Sequence, residues 1–299
     1  LLNLQNTDPV RKTGFFLPIL TEKFLYFTVM LHFPNCKINL GLHITGKRPD
    51  GYHNLESVFY PLPLRDALEI VVAETNSFAT YGAPIPGDSS DNLVLKAYDL
   101  LKQDFPQILP VKIALLKNIP MGAGLGGGSA NGAEALKMLN ELFKLNLNSE
   151  VLEGYALKLG SDCPFFIKNC PVLATGRGEV LKPINLDLSD YQFVIVKPAV
   201  HLSTAWAFSQ ISPQSTNSGL LQIITQAVDT WRNLLSNDFE PAVFKAYPQV
   251  GAIKSSLYQA GALYSSMSGS GSAVYGIFNQ DVPVGTLKNE LPGCEIFTC

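Results

Sequence analysis

Residues 120–130, PMGAGLGGGSA, are the part of the sequence best suited to chemistry with a phosphate. Glycine allows backbone conformations with positive φ and lets the main chain approach a ligand closely, because it has no Cβ. A glycine-rich turn that opens into a helix directs several free N–H groups, and the positive end of the helix dipole, at one point. The sequence therefore predicts an anion site here, and the simplest ligand for it is a phosphate chain.

Three common phosphate-binding motifs do not fit this run. The Walker A motif requires a lysine where this chain has Gly128. The dinucleotide fingerprint G-x-G-x-x-G matches at Gly122, Gly124 and Gly127, but residues 118–120 separate these glycines from the preceding strand, and no ribose-binding acid follows at the expected distance. The motif set of the protein kinases is absent. A flexible linker is disfavoured, because linkers are not enclosed by an apolar strand and an amphipathic helix.

The elements on either side position this loop. Residues 111–116 (VKIALL) form a short apolar run typical of a strand. After the glycines, Leu136, Leu139 and Phe143 recur at helical spacing, which predicts an amphipathic helix. Ser129 is a suitable N-cap for that helix, and its hydroxyl could equally contact a phosphate or a bound Mg²⁺. The sequence leaves these roles open.

A lysine and an asparagine share one face of a predicted strand near the start. In residues 36–45 (CKINLGLHIT), apolar side chains occupy the even positions, and polar or small residues occupy the odd ones. This period of two predicts a half-buried strand on which Lys37 and Asn39 point the same way. Taken alone, the pattern fits a solvated strand face as well as a binding site.

Two aromatic side chains follow a predicted turn. Asp50-Gly51 is a turn signal, and Tyr52 and His53 come directly after it. A packed tyrosine and a surface histidine would give the same sequence. A pyrimidine, however, has an apolar face and a polar rim, so this pair could stack on its ring and hydrogen-bond to its edge.

A carboxylate follows a predicted helix later in the chain. Residues 149–159 are expected to be helical, and Gly160 is the stop signal. Asp162 then lies two residues before Pro164. This spacing suits the N-cap of a short following turn, and it also leaves the carboxylate available for catalysis.

The composition limits the class of protein. The chain has 299 residues, of which 46% are hydrophobic and 16% charged, so it is globular and long enough for one large or two modest domains. A net charge of −3 without a basic run argues against nucleic-acid binding. Five scattered cysteines form no zinc pattern with the histidines, and they suit a reducing cytoplasm. No apolar stretch is long enough for a transmembrane helix.

The first 29 residues have no sustained hydrophobic period. Met30 is the first methionine, and the motifs begin shortly after it. We expect residues 1–29 to be an upstream translation or a dispensable extension. A targeting peptide is the alternative, although the segment is short of the serine and arginine of organellar signals and lacks a cleavage site.

These motifs together resemble the GHMP kinases, a superfamily of small-molecule kinases. The glycine run is similar to their second motif, and residues 267–272 are similar to their third. Residues 160–165 (GSDCPF) resemble the segment that carries the catalytic aspartate, and residues 200–208 resemble a segment of the substrate pocket. The sequence DGYH is typical of the branch that acts on 4-(cytidine 5′-diphospho)-2-C-methyl-D-erythritol. The residues that match this branch near the N-terminus are Pro34, Lys37, Ile38, Asn39, Leu40, Leu42, Gly46, Arg48, Asp50, Gly51, Tyr52 and His53.

The resemblance implies an α+β fold with two lobes and a kinase activity. Residues 30–185 would form the ATP-binding lobe, and residues 186–299 a ferredoxin-like C-terminal lobe. The reaction implied is ATP-dependent phosphorylation of the 2-hydroxyl of the cytidine-diphosphate-linked methylerythritol, in the non-mevalonate route to isoprenoids. The implied partner is this small molecule alone, with no nucleic acid or membrane, in a cytoplasmic monomer or weak homodimer.

The resemblance also implies a role for each candidate residue. Asp162 would accept the hydroxyl proton, while Lys37 would keep that aspartate ionised and stabilise the transferring phosphoryl group. Mg²⁺ would bridge the ATP phosphates, with Ser129 as its contact in the protein. The substrate-binding residues would be Asn39, Tyr52, His53, Thr204 and Phe208. The ATP-binding residues would be Pro120, Met121, Gly122, Ala123, Gly124, Leu125, Gly126, Gly127, Gly128, Ser129 and Ala130.

Two other functions are compatible with parts of this pattern. Another GHMP kinase, of the mevalonate or homoserine type, would share the glycine loop but not the DGYH sequence. A nucleotide-binding relative without activity would be expected to lack the base or the lysine, and both Asp162 and Lys37 are present.

Overall fold

The structure is a computed structural model that describes residues 29–211, 219–279 and 282–299, so nearly all of the predicted N-terminal extension lies outside the described residues. Within them, the chain forms three four-stranded sheets and nine α-helices. The strands are β1 (Val29–His32), β2 (Asn35–Lys47), β3 (His53–Arg65), β4 (Ala67–Val72), β5 (Ser77–Gly82), β6 (Val111–Lys117), β7 (Val172–Thr175), β8 (Val180–Pro183), β9 (Gln192–Lys197), β10 (Tyr264–Met267), β11 (Val274–Phe278) and β12 (Glu295–Thr298). The helices are α1 (Leu93–Asp104), α2 (Gly127–Leu142), α3 (Ser149–Leu159), α4 (Phe165–Lys168), α5 (Thr204–Ser209), α6 (Leu220–Ile224), α7 (Glu240–Ala246), α8 (Pro248–Gln259) and α9 (Val284–Glu290), with 3₁₀ turns at Ser89–Asp91 and Val228–Asn233.

Two of the sheets belong to the N-terminal part. One has the strand order β1-β4-β6-β5, with β5 and β6 parallel and the other neighbours antiparallel. Its inner face packs on α1, α2 and α3 through buried residues that include Ile70, Ile113, Leu101 and Leu136. The other sheet is antiparallel in the order β2-β3-β7-β8. The glycine loop joins β6 of the first sheet to α2, as the sequence predicts.

The third sheet is antiparallel, with the order β10-β11-β9-β12. Helices α5 to α8 connect β9 to β10, a short Ser/Gly turn connects β10 to β11, and α9 leads to β12. This β-α-β-β-α-β succession and strand order define the ferredoxin-like arrangement. The expected ferredoxin-like C-terminal lobe is therefore confirmed.

The two lobes share a hydrophobic core. Ile38 on β2 and Val58 on β3 belong to the same buried cluster as Ile195 on β9, Tyr275 on β11 and Trp231. These side chains come from both sides of the predicted division at residues 185 and 186. The cleft between the lobes therefore has a packed floor, and β2 lies along it.

Strand β2 is buried on both faces, and the prediction of a half-buried strand was wrong. Lys37 and Asn39 do lie on one face, but each is only 3% exposed. The glycine loop packs on Lys37, where a Cβ on Gly126 would be 3.1 Å from Lys37 Cγ, and the turn after β10 packs on Asn39, where a Cβ on Gly269 would be 3.4 Å from Asn39 Oδ1. The register with β3 shifts between Leu40 and Leu42. Gly41 adopts a φ of 67° there, and a Cβ at this position would lie 2.6 Å from Leu235 Cδ1.

Two other local predictions need correction. Helix α2 begins at Gly127, with Gly126 at its N-cap in a left-handed conformation, so Ser129 lies within the first turn and does not cap it. Helix α4 has Pro164 at its N-cap, so Asp162 does not cap that helix. No helix in the described ranges is long and apolar enough to cross a membrane.

Candidate active site

Main-chain carbonyl groups of the glycine loop accept hydrogen bonds from the C-terminal lobe and from β2. The Ser268 hydroxyl donates to the carbonyl of Gly124 at 2.8 Å, and the Lys37 N–H donates to the carbonyl of Leu125 at 2.9 Å. Gly124 has a φ of 78°, and a Cβ there would lie 2.0 Å from the carbonyl oxygen of Ser268. A Cβ on Gly126 would lie 3.1 Å from Lys37 Cγ. These glycines are therefore needed for close packing as well as for an exposed backbone.

Two cavities meet at this loop. The larger, of about 990 Å³, lies between the lobes and reaches Gly122, Gly124 and Gly126. The smaller, of about 300 Å³, lies against the whole glycine run on the N-terminal side and extends to Asn92 at the N-cap of α1. The backbone of one loop therefore borders both cavities.

The two predicted catalytic residues lie together in the larger cavity. Lys37 Nζ is 3.3 Å from Asp162 Oδ2, and the lysine side chain is 4% exposed whereas that of the aspartate is 34% exposed. Lys37 Nζ also donates to Asn39 Oδ1 at 2.6 Å and lies 4.6 Å from the centre of the Phe59 ring. A buried ammonium group is thus fixed beside a carboxylate that remains open to the cavity.

Asn39 holds this lysine in place. Its Nδ2 donates to Ser57 Oγ at 2.9 Å, and that hydroxyl donates to the carbonyl of Gly41 at 2.6 Å. Its backbone carbonyl accepts from the Tyr275 hydroxyl at 2.8 Å. Since both ends of the Asn39 amide are occupied within the protein, its geometry is that of a residue that orients Lys37.

The remaining predicted substrate residues also line the larger cavity. The His53 and Phe208 rings are stacked, with centroids 5.1 Å apart, and Phe208 meets Phe239 edge-on at 5.0 Å. Tyr52 is 57% exposed on the loop before β3. Thr204 Oγ1 is 3.1 Å from Ser270 Oγ, at the start of α5. Residues from four separate segments thus line one cavity, and most of them are aromatic.

Parts of the predicted ATP-binding run do not reach a cavity with their side chains. Ala123, Leu125 and Ala130 are each 1% exposed and pack into hydrophobic clusters, so Ala123 and Leu125 offer only backbone, and Ala130 borders neither cavity. Ser129 borders the smaller cavity. Its hydroxyl also contacts the thiol of Cys163, whose pKa is raised to about 12 by burial, although this contact lowers it.

A buried ion pair beneath the glycine loop was not predicted. Lys117 Nζ contacts Asp66 Oδ2, and both side chains are fully buried. Asp66 Oδ1 accepts from the N–H groups of Asn118 and Ile119 at 2.7 and 2.8 Å, and Asn131 Nδ2 donates to Oδ2 at 2.9 Å. Burial lowers the pKa of Lys117, while Asp66 raises it. The network connects residues 118 and 119, which lead into the glycine loop, to Asn131 in α2.

Arg177 was also missed. It lies in the β7–β8 turn, lines the larger cavity, and holds its guanidinium carbon 5.0 Å from the centre of the Tyr52 ring. The signal available in the sequence was a single arginine between Gly176 and Gly178, a pattern that any hairpin turn could have. Within the described ranges, no group of three or more His, Cys, Asp or Glu side chains could hold a metal ion.

Comparison with known proteins identifies the relatives of this chain. Residues 92–169 match the model of the GHMP kinases N terminal domain, and residues 220–293 that of the GHMP kinases C terminal domain. The 4-diphosphocytidyl-2-C-methyl-D-erythritol kinase of Bacteroides fragilis is 52% identical over 269 residues, which cover 89% of this chain and 98% of that protein. Its counterpart in Bacteroides thetaiotaomicron is 51% identical, over 90% of this chain and 98% of that protein.

Solved structures agree with this assignment. A crystal structure of 4-(cytidine 5′-diphospho)-2C-methyl-D-erythritol kinase superposes with a TM-score of 0.77 at 28% identity, covering 90% of this chain and 98% of the other. The mevalonate kinase of Methanococcus jannaschii superposes with a TM-score of 0.69 at 14% identity, over 91% of this chain and 98% of that one, and shows the fold alone. The chain belongs to the 4-diphosphocytidyl-2-C-methyl-D-erythritol kinase family of the GHMP kinases.

Proposed function

We propose that this protein transfers the γ-phosphoryl group of ATP to the 2-hydroxyl of 4-(cytidine 5′-diphospho)-2-C-methyl-D-erythritol. The observation that carries the proposal is the Lys37–Asp162 pair, which lies in a cavity bordered by the glycine loop and by Tyr52, His53 and Phe208. Membership of the family supports the substrate. The cytosine would lie among the aromatic side chains, and ATP would occupy the smaller cavity with its phosphates along the glycine loop.

Asp162 acts as the proton acceptor in this proposal. The substrate oxygen forms a bond to the γ-phosphorus as the bond from that phosphorus to the β–γ bridging oxygen breaks. The proton of the hydroxyl passes to the Asp162 carboxylate, and ADP leaves. Such a transfer requires mainly positioning and charge stabilisation from the protein. The carboxylate is suited to this step, since it is exposed to the cavity and is oriented by Lys37.

Lys37 stabilises the negative charge that develops on the phosphoryl group during transfer. Its ammonium group cannot rotate away, because Asn39 and Phe59 fix it from two sides. A cation preorganised in a poorly solvated place stabilises developing negative charge more than a solvated one does. We infer that Lys37 contacts the transferring group and keeps Asp162 in its reactive position, and that Asn39 is a positioning residue.

ATP would bring Mg²⁺ with it, as nucleotide phosphates commonly do. This ion is usually held by substrate phosphates and only one or two protein groups, which fits a site with no cluster of acidic ligands in the described ranges. Ser129 would be a contact for it from this chain, on the side of the smaller cavity. When bound, the ion neutralises charge on the phosphates. The monomeric or weakly dimeric state and the cytoplasmic location stay predictions.

The substrate assignment is tested by comparing three alcohols. We expect ADP release with the cytidine-diphosphate-linked methylerythritol, and none above background with mevalonate or homoserine. Phosphorus NMR of the product should show one new phosphate monoester alongside an intact diphosphate. Turnover of mevalonate or homoserine, without turnover of the cytidylylated compound, would overturn the proposal.

Gly128 offers a separate test of the phosphate site. A Cβ at this position meets no protein atom within 4 Å, and Gly128 lies in the first turn of α2 beside the smaller cavity. The substitution Gly128→Ala should therefore raise the free energy of unfolding by up to about 1 kcal/mol, because alanine is the better helix former. It should weaken ATP binding by about 10- to 100-fold, because the methyl group occupies space needed by a phosphate.

The control for this variant is Gly154→Ala on α3. A Cβ there also meets nothing within 4 Å, and Gly154 borders neither cavity. It should gain a similar stability and keep its affinity for ATP. Calorimetry and thermal unfolding separate the two effects. An unchanged ATP affinity in Gly128→Ala would show that the phosphates of ATP do not bind at this turn. Gly126 is a poorer choice, because a side chain there also meets Lys37.

A further inference from the structure

The β7–β8 turn lies near both Asp162 and Tyr52, which line the larger cavity. A Cβ on Gly178 would be 3.6 Å from Asp162 Oδ1. The guanidinium carbon of its neighbour Arg177 is 5.0 Å from the centre of the Tyr52 ring. In the proposed substrate, the diphosphate joins the cytidine to the reacting methylerythritol. With the base near Tyr52 and the hydroxyl at Asp162, the diphosphate must pass Arg177.

The guanidinium group of Arg177 is available for such a contact. Its Nε is buried and has no hydrogen-bond partner among the described residues. Glu179 Oε1 lies 3.5 Å from that Nε, which is a charge contact and not a well-formed hydrogen bond. The Arg177 side chain is 32% exposed, on the cavity side. A guanidinium group presents several donors in one plane, which suits the oxygens of a phosphate.

The turn that carries Arg177 is itself well anchored. The Leu55 N–H donates to the carbonyl of Gly176 at 2.7 Å, which ties the turn to β3. The Arg177 N–H donates to Glu179 Oε2. The stack on Tyr52 further limits the positions of the guanidinium group. A group that is already oriented loses less conformational freedom when a ligand binds.

We propose that Arg177 binds the diphosphate of the cytidine-diphosphate-linked substrate, while Tyr52 offers the base the ring face that Arg177 leaves free. This assignment rests on the proposed function. It makes Arg177 a specificity residue for nucleoside diphosphates over nucleosides. Lys37, fixed beside Asp162, serves the reacting end, so the two cations act on different parts of one substrate.

The test compares cytidine with cytidine 5′-diphosphate as ligands. Calorimetry is done with a non-hydrolysable ATP analogue at saturation, so that the smaller cavity is filled. The wild-type protein should bind the diphosphate more tightly than the nucleoside. In Arg177→Gln, the affinity for the diphosphate should fall by about 10- to 100-fold, as expected for a lost hydrogen bond to a charged group, while that for cytidine stays within about threefold. Arg177→Lys should lie between, because it keeps the charge but loses the planar donor set.

The control is Lys182→Gln, which removes a charge from an exposed position on β8 of the same hairpin, outside the cavity. Its affinities should equal those of the wild type. If Arg177→Gln loses the same affinity for both ligands, Arg177 only supports Tyr52. If it loses affinity for neither ligand, Arg177 does not contact the substrate. Either result overturns the inference. If the wild-type protein binds neither cytidine nor the diphosphate, the proposed function itself fails.

Discussion

Replacing Asp162 with asparagine is expected to lower kcat by about 10²- to 10⁴-fold, which is the usual loss when a positioned general base is removed. The amide has nearly the same shape but cannot take up the hydroxyl proton. The fold should be unaffected, since Asp162 is 34% exposed in its side chain and caps no helix. ATP affinity should change little, because the smaller cavity is formed by other residues. Steady-state kinetics and calorimetry measure the two quantities independently.

The partnership of Asp162 with Lys37 is tested by a double variant. Lys37→Met removes the ammonium group that lies 3.3 Å from the carboxylate, and it should also lower kcat strongly. The double variant should lose less than the product of the two single losses, as residues that act as a unit do. Near-normal turnover in Asp162→Asn would require another base. Losses that multiply would mean that the two residues act independently.

A matched control for the first variant is Asp99→Asn. Asp99 is an exposed carboxylate on α1 that borders neither cavity. Its replacement should leave kcat and ATP affinity at their wild-type values. A comparable loss in this variant would indicate a general effect of surface charge on the assay.

Replacing Asp66 with asparagine is expected to lower the free energy of unfolding by about 3–5 kcal/mol, as for other buried pairs that lose one partner. Asp66 and Lys117 are fully buried, so the variant would leave an ammonium group without a counter-charge. It would also place an amide where the carboxylate accepts hydrogen bonds from Asn118, Ile119 and Asn131. Denaturant unfolding measures the loss.

Two further variants distinguish the cause of this loss. Glu153→Gln breaks a partly exposed pair, in which Lys168 Nζ is 2.7 Å from Glu153 Oε1, and should cost at most about 1 kcal/mol. Combining Asp66→Asn with Lys117→Met leaves no unpaired buried charge and keeps an amide oxygen as acceptor for the N–H groups of Asn118 and Ile119, so it should be less destabilising than Asp66→Asn alone. A small loss in Asp66→Asn would show that this network is not needed to hold the loop. ATP affinity should weaken with stability, because the network fixes the entry to the glycine loop.

Much of the site could be predicted because local sequence determines it. A run of glycines between β6 and α2 has few structural explanations, and the exposed backbone follows from the absence of Cβ atoms. The alternation in β2 places Lys37 and Asn39 on one face whatever covers that face. The bounds of β6 and α3 follow hydrophobic period and stop signals, and the structure places them within one residue of the predicted bounds.

The errors arose where a distant segment decides the outcome. Ser129 is a good N-cap residue, but the left-handed Gly126 starts α2 three residues earlier, because the loop packs against Lys37 and the C-terminal lobe. Strand β2 has the pattern of a half-buried strand, yet the glycine loop and the turn after β10 cover its polar face. Propensity and period describe a segment, and tertiary packing can override both.

The sequence by itself indicated the kind of chemistry, since the glycine run predicted a phosphate site and the motifs that contain Lys37 and Asp162 resemble those of the GHMP kinases. Only the tertiary structure decided which further side chains join them. Asp66 and Arg177 are single residues in ordinary stretches of sequence, and their roles arise from the charges that folding places beside them. Burial makes the first an essential partner for Lys117, and the fold places the second on the lining of the larger cavity. Neither property can be read from neighbours along the chain, because both depend on contacts between separate elements.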